Sequence, residues 1–116
     1  MKVNCVFCKI NSGEIKEEIL YRDDKVFVVR DINPRTPFHL LIITKTHFGG
    51  FEDLVKNDPK LISHIGTVIG VLVEQFHIND TSKWGYTWGF HCGGKESVAH
   101  VHAQLLAETK EGELVL

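Results

Sequence analysis

Residues 100–106 read H-V-H-A-Q-L-L, a stretch in which two histidines and a glutamine occupy every second place. In a β-strand, side chains two positions apart project from the same face, so His100, His102 and Gln104 would lie together. In a helix the two histidines would point about 200° apart, and the alternation would have no structural consequence. The pattern predicts a strand with one polar face, which is either a functional site or the ordinary outer face of a half-buried strand.

The remainder of the chain predicts an α+β fold. Runs of β-branched and aromatic residues bounded by turn residues predict five strands, at residues 19–22, 25–30, 38–43, 85–90 and 98–106. A short helix is expected at residues 8–11, and apolar residues at helical spacing over residues 61–76 indicate a long helix capped by Asp58. We predict a single domain over residues 1–116, with a five-stranded antiparallel sheet, one long helix and one short helix.

Composition narrows the functional class. The 116 residues are 43% hydrophobic and carry a formal net charge of −2, which argues against nucleic acid or an anionic membrane as a partner. The apolar runs are too short to span a bilayer. The N-terminal residues lack an apolar signal core, so a reducing, cytoplasmic location is expected. In that compartment the C-x-x-C of Cys5 and Cys8 indicates metal or redox chemistry, and Cys92 has no evident partner.

A histidine on the polar face of the last strand suits phosphoryl chemistry. Neutral imidazole is a good nucleophile near pH 7, because its reference pKa is about 6.5. It can attack phosphorus and form a covalent phosphoramidate, provided that one ring nitrogen is free and the other is tied to an acceptor. His102 lies between His100 and Gln104 on the same face, which makes it the candidate nucleophile.

Three segments carry a resemblance to a known family. Residues 31–43 (D-I-N-P-R-T-P-F-H-L-L-I-I) resemble the D-I-x-P-x-x-P-x-H-x-L-I-I stretch of the histidine triad family of nucleotide-binding proteins. Residues 5–10 (C-V-F-C-K-I) resemble the opening of the zinc-bearing members of that family. Residues 97–102 (S-V-A-H-V-H) resemble the beginning of the triad itself. The resemblance covers residues 5–106, which is nearly the whole chain.

The resemblance implies a function and roles for particular residues. It implies a homodimer, formed through the long helix and an edge strand, that binds a purine nucleotide and transfers or hydrolyses it through a nucleotidylated histidine. His102 matches the nucleophile, His39 the residue that orients the nucleophilic ring, and Ser97 the hydroxyl beside the phosphate. Asp31 matches the residue that holds the ribose hydroxyls. The walls of the base pocket match Phe7, Ile10, Val29 and Ile32, although on composition alone Phe7, Ile10 and Val29 read equally as core residues and His39 reads more readily as a buried histidine than as a catalytic one.

The metal site is also implied by the resemblance. Cys5 and Cys8 have zinc spacing, but two ligands do not make a structural site. In the zinc-bearing members, and in the similar galactose-1-phosphate uridylyltransferase, the positions that match His47 and His100 complete a tetrahedron of two cysteines and two histidines. A thioredoxin-like redox pair and two merely reduced thiols are the alternatives.

Gln104 departs from the family pattern, which usually has a third histidine there. An amide can donate hydrogen bonds to phosphate but cannot deliver a proton to a leaving group, so we expect leaving groups that depart as phosphate anions. In this the chain resembles uridylyltransferases and diadenosine-polyphosphate phosphorylases. Gly89 and Glu96 also depart from the pattern, and with Gln104 they favour a second hypothesis, a non-catalytic nucleotide-binding or signalling module.

Overall fold

The computed structural model describes residues 5–92 and 99–109, whose five strands form one antiparallel sheet. The order of the elements along the chain is α1 (Val6–Ser12), β1 (Tyr21–Arg22), β2 (Val26–Arg30), β3 (Phe38–Thr44), α2 (Phe51–Asn57), α3 (Lys60–Gln75), α4 (Ile78–Thr81), β4 (Thr87–Phe90) and β5 (His102–Ala107). In space the strands follow the order β1-β2-β3-β5-β4. The predicted α+β fold with a five-stranded antiparallel sheet is confirmed. None of the helices in the described ranges is long and apolar enough to cross a membrane.

The central strand β3 is buried along its whole length, because strands pair with both of its edges and helices pack on the sheet. Its register with β5 places Leu41 opposite Gln104 and Ile43 opposite His102. Directly opposed residues of antiparallel strands project from the same face. The two polar residues of β5 therefore stand on the same face as two large aliphatic residues of β3.

The two faces of the sheet are covered differently. On one face α3 buries an apolar stripe, which includes Ile65 and Leu72, against alternate residues of β2, β3 and β5. On the other face α1 packs through Phe7 and Ile10, with Ile15 and Ile19 of the following loop beside it, on a smaller cluster that contains Phe27, Val29, Leu41 and Ile43. Because α1 has only seven residues, it covers part of this face and leaves the rest open.

The last strand begins later than the sequence predicts, at His102 rather than at residue 98. The Nε2 of His100 lies 2.7 Å from the carbonyl oxygen of Thr44, and the N–H of Val101 donates to the carbonyl of Phe48 at 2.7 Å. These residues thus pair with the loop after β3 instead of extending the ladder. The predicted common side for His100 and His102 nevertheless holds, since both rings contact the Phe7 ring edge-on.

The helical part differs from the expectation of one long and one short helix. Two further short helices, α2 and α4, flank α3. Each buries a single residue, Leu54 in α2 and Ile78 in α4, so neither has enough apolar positions to show a period in the sequence. Asp58 closes α2 as its C-terminal cap and does not cap α3, whose first turn is preceded by Pro59.

Candidate functional site

A cavity of about 380 Å³ lies between α1, the end of β2 and the middle of the sheet. Its wall contains Val6, Phe7, Ile10, Ile15, Glu17, Val29, Arg30, Asp31, Ile32, Asn33, Leu41 and His102. The four apolar walls proposed from the sequence, Asp31 and His102 are among them, whereas Gln104, which was also proposed to bind the nucleotide, is not. Ile32 is 82% exposed and lies at the mouth, whereas the other three apolar walls are buried. The volume and the apolar lining suit a purine base and its ribose.

His102 is half-buried at the inner end of this cavity and its ring is held in one orientation. Its Nδ1 lies 2.9 Å from the carbonyl oxygen of His100, which can only accept, so Nδ1 carries the proton and donates. The Phe7 ring meets the imidazole edge-on at 5.1 Å. The Nε2 of the neutral ring then has its lone pair available, and no group within residues 5–92 and 99–109 hydrogen-bonds to it.

His39 binds Gln104 and not the ring that it was expected to orient. Its Nε2 lies 2.7 Å from Gln104 Oε1, and its Nδ1 lies 3.0 Å from the backbone nitrogen of Arg35. The side chain of His39 is fully enclosed, and Gln104 is buried beside it. His102 is oriented instead by a backbone carbonyl, as described above.

Asp31 follows β2 and opens the proline-containing loop. One carboxylate oxygen accepts the N–H of Asn33 at 2.8 Å, and the other lies 3.4 Å from Nε2 of His39. The backbone N–H of Asp31 donates to the carbonyl of His39 at 3.0 Å. These bonds fix the carboxylate at the edge of the cavity, where it can accept hydrogen bonds from sugar hydroxyls.

A second cluster lies next to the cavity and brings together two cysteines and two histidines. The ligand atoms of Cys5, Cys8, His47 and His100 all lie within 4.8 Å of one another. Nδ1 of His100 is 3.2 Å from Cys5 Sγ, and Nδ1 of His47 is 3.3 Å from Cys8 Sγ. Tetrahedral zinc, with bonds of about 2.3 Å to sulfur and 2.0 Å to nitrogen, separates such atoms by roughly 3.5 Å.

The ring of His100 is prepared for metal ligation. Burial, with a smaller effect from the neighbouring His47 and His102 rings, lowers the pKa of His100 to about 4, although the bond to the Thr44 carbonyl opposes the shift. The ring is therefore neutral at physiological pH, with its proton on Nε2 and the Nδ1 lone pair directed at the cysteines. The donor set and spacing fit zinc, and a redox pair would not require two histidines at the sulfurs.

Two parts of the sequence analysis fall elsewhere. Ser97 and Glu96 lie outside the described residues. Gly89 is the β4 partner of Gln104, and a side chain built at this glycine would meet no atom within 4 Å. Leu41, which the sequence did not indicate as a site residue, also lines the cavity, and its position is explained by its pairing opposite Gln104 in the β3–β5 ladder.

Comparisons with known proteins agree with this geometry. The family model described as "Scavenger mRNA decapping enzyme C-term binding" matches residues 4–114. The "14 kDa zinc-binding protein" of Zea mays is 36% identical over 106 residues, which are 87% of this chain and 79% of the relative. "Adenosine 5'-monophosphoramidase HINT3" of Mus musculus is 29% identical over 110 residues, 93% of this chain and 66% of the relative. A crystal structure of a histidine triad protein from Clostridium difficile superposes with a TM-score of 0.84 at 32% identity, covering 95% of each chain.

Proposed function

The chain belongs to the histidine triad family of nucleotide-binding proteins, and from that premise we propose that it hydrolyses or transfers purine nucleotides through a covalent bond to His102. The observation that carries the proposal is the orientation of the His102 ring, whose Nδ1 is bonded to a carbonyl oxygen while the residue itself lines the cavity. A nucleophilic imidazole needs this arrangement.

The surroundings of His102 support a nucleotide as the ligand. The apolar walls, Phe7, Ile10, Val29 and Leu41, sandwich a flat base, and Ile32 covers it from the mouth of the cavity. We assign the ribose hydroxyls to Asp31, whose carboxylate stands at the same edge as Asn33. The phosphate then falls between His102 and Gln104, with Ser97 proposed as a further donor.

Zinc, when bound, contributes structure and no reactive centre. It would join Cys5 and Cys8, at the start of α1, to His47 and to His100 immediately before β5. The carbonyl of His100 is the group that fixes His102, so the metal site and the nucleophile are two residues apart on one short segment. The position of the nucleophile therefore depends on the zinc cluster.

Gln104 bears on the class of leaving group. The mouse relative is named as a phosphoramidase, which releases an amine. Position 104 of this chain has no proton to give to an amine, but it can donate hydrogen bonds to a phosphate oxygen. We therefore propose phosphoanhydride substrates, cleaved with water or a phosphate acceptor.

Covalent labelling tests the proposal. We expect incubation with an α-labelled ATP or GTP, followed by denaturation, to leave acid-labile nucleotide on the wild-type protein and none on His102→Ala. His77→Asn is the matched control, because His77 is exposed at positive φ, which asparagine tolerates. Absence of label and of turnover, with nucleotide binding intact by calorimetry, would replace the enzyme with a non-catalytic binding module.

Edge strand β4 and α3 suggest a homodimer. β4 ends the sheet within the described residues, and its Thr87 and Trp88 are exposed. The Trp88 ring also lies beside Gly66 of α3, where a built Cβ would be 3.9 Å from it, so the strand edge, the aromatic ring and the helix adjoin. We propose that a second copy pairs there, which sedimentation velocity tests: wild type should sediment as a dimer and Trp88→Glu as a folded monomer.

Two further inferences complete the proposal. We propose that residues 1–116 form one domain, because all the described strands belong to a single sheet. We also propose a reducing compartment such as the cytoplasm, since zinc ligation needs reduced cysteines and no disulfide joins the cysteines of the described residues.

A further inference from the structure

The hydrogen bonds around His39 have only one possible direction. Its Nδ1 faces the backbone N–H of Arg35 at 3.0 Å, and a backbone N–H can only donate. Nδ1 must therefore carry the lone pair, and the proton of the neutral ring is on Nε2. The ring is fully enclosed, so water does not compete for either nitrogen.

The position of the proton on His39 also fixes the orientation of the Gln104 amide. The Nε2–H of His39 needs an acceptor at 2.7 Å, and the only acceptor of a glutamine side chain is its oxygen. A flipped amide would place NH₂ against N–H, two donors at hydrogen-bond distance. The backbone N–H of Arg35 thus fixes the proton position on the His39 ring, and that ring determines that the oxygen of the Gln104 amide faces His39. The NH₂ group of the amide then points away from His39.

The end of the amide that points away from His39 is the NH₂ group. Gln104 stands two residues after His102 on β5, hence on the same face and about 7 Å along the strand. No group within residues 5–92 and 99–109 accepts a hydrogen bond from this NH₂. Gly89, opposite Gln104 on β4, leaves the adjoining space open because it has no side chain. Within the described residues, a ligand that extends from His102 along β5 would therefore find donors and no acceptor in the side chain at position 104.

We propose that His39 is a positioning residue that keeps Gln104 a donor only, so that the site selects nucleoside polyphosphates over nucleoside phosphoramidates. This inference rests on the function proposed above. A polyphosphate offers only acceptor oxygens around the reacting phosphorus, whereas a phosphoramidate presents N–H groups that would face the amide donor to donor. The selectivity thus has two sources: the amide at position 104 can only donate hydrogen bonds to the leaving group, and it cannot transfer a proton to it.

The chemistry balances without a proton from position 104. The lone pair of His102 Nε2 forms a bond to the α-phosphorus, and the bond from that phosphorus to the bridging oxygen breaks. Its electron pair leaves with the departing pyrophosphate, which is stable as an anion. Water then attacks the same phosphorus, the P–N bond breaks, the pair returns to Nε2 and the proton of the water is lost to solvent. An amine leaving group would need a proton at the first step, and the amide has none to transfer.

Substrate selectivity of three variants tests the proposal. We expect kcat/KM of the wild type to be at least tenfold higher for ATP than for adenosine 5′-phosphoramidate, and Gln104→His to reduce this ratio by about tenfold or more. His39→Leu should lower kcat for ATP by about tenfold with a smaller change in KM, because the amide is then free to turn. His39→Gln, which can still donate to Gln104, should recover kcat to within about threefold of the wild type.

A spectroscopic measurement is independent of activity. Long-range ¹H–¹⁵N NMR should show His39 as the Nε2–H tautomer in the wild-type protein, and zinc content and circular dichroism should show that each variant is folded. A proton on Nδ1, equal use of the two substrates by the wild type, or an unchanged kcat in His39→Leu would overturn the proposal. If wild type shows neither label nor turnover, the proposed function fails and the selectivity with it, while the NMR result still decides the direction of the hydrogen bonds.

Discussion

The two faces of the sheet have different roles, although the strands present similar apolar residues on both. The face toward α3 is closed: Leu40, Ile42, Leu72 and Leu105 are at most 1% exposed. The face toward α1 has equally apolar residues in β2 and β3, but the seven-residue helix covers only one end of them. The uncovered end is the cavity beside His102.

This difference shows how a binding site arises from a core that is left incomplete. Val29 and Leu41 belong to a buried cluster and also line the cavity, so the same side chains serve stability and ligand contact. Polar groups of the strands enter this face at His39 of β3 and at His102 and Gln104 of β5. Residues on the closed face should therefore matter for stability alone, and those on the open face for both.

The largest stability change should come from the closed face. Leu72→Ala removes a fully buried side chain of α3 and should lower the free energy of unfolding by about 4 kcal/mol, which is roughly a 15 °C fall in Tm. Urea unfolding and thermal scans measure this. Nucleotide affinity of the folded fraction, measured by calorimetry, should stay within twofold of the wild type.

The open face supplies the contrasting control. Leu41→Ala should cost less, about 2 kcal/mol, because its side chain already borders a cavity, and it should weaken nucleotide binding about tenfold. If Leu72→Ala weakened binding as much as Leu41→Ala, the two faces would not have the separate roles assigned to them.

Removal of zinc should affect the region where the Cys/His cluster joins the start of α1 to the segment before β5. We expect chelation, or Cys8→Ser, to lower the free energy of unfolding by about 3 kcal/mol, the effect of a ligand present at roughly a hundred times its dissociation constant. Labelling of His102 should fall in parallel, because the carbonyl that holds its ring belongs to a zinc ligand. Metal analysis and thermal scans check this.

Cys92→Ser is the matched variant for this experiment, since Cys92 is exposed and outside the Cys/His cluster. It should retain one zinc per chain and the wild-type Tm. A Tm that does not respond to chelation would remove the structural role given to the metal.

The smallest effect should come from a polar link on the closed face. Asp23, in the turn before β2, accepts hydrogen bonds from Tyr21 and from His64 of α3, each at 2.8 Å. Partial burial raises the pKa of the Asp23 carboxyl, but these bonds and those from the N–H groups of Lys25 and Val26 lower it to about 2. Because this pKa lies below the unfolded value of about 3.9, the stabilisation is present above pH 4 and is lost as the pH falls toward 2.

Asp23→Asn should therefore cost about 1–2 kcal/mol at pH 7 and progressively less below pH 4. Urea midpoints at pH 7, 4 and 2.5 measure the difference. Asp24→Asn, an exposed neighbour, should stay within about 0.5 kcal/mol at every pH. A constant difference for Asp23→Asn across this range would show that its charge does not stabilise the link to α3.

The sequence by itself determined the sheet and the long helix, and its resemblance to a known family supplied the candidate site residues. Alternation over residues 100–106 and helical spacing over residues 61–76 report which side of each element is buried, and burial is local information in the chain. The C-x-x-C spacing and the motif around Asp31 likewise act through neighbours in sequence. The structure adds to the predicted cavity residues Leu41 of β3 and several neighbours of the predicted ones, among them Val6 and Asn33.

Only the tertiary structure decided which groups meet. The start of β5 at His102 depends on the loop after β3, which takes the hydrogen bonds of residues 100 and 101. The partner of His39 depends on the β3–β5 register, which brings Gln104 to its ring from 65 residues away. Such contacts join segments that are far apart in the sequence, and no local pattern of residues indicates that these segments meet in the fold. A pattern of residue types reports the face on which a side chain lies, and the packing of strands and loops sets the direction of its hydrogen bonds.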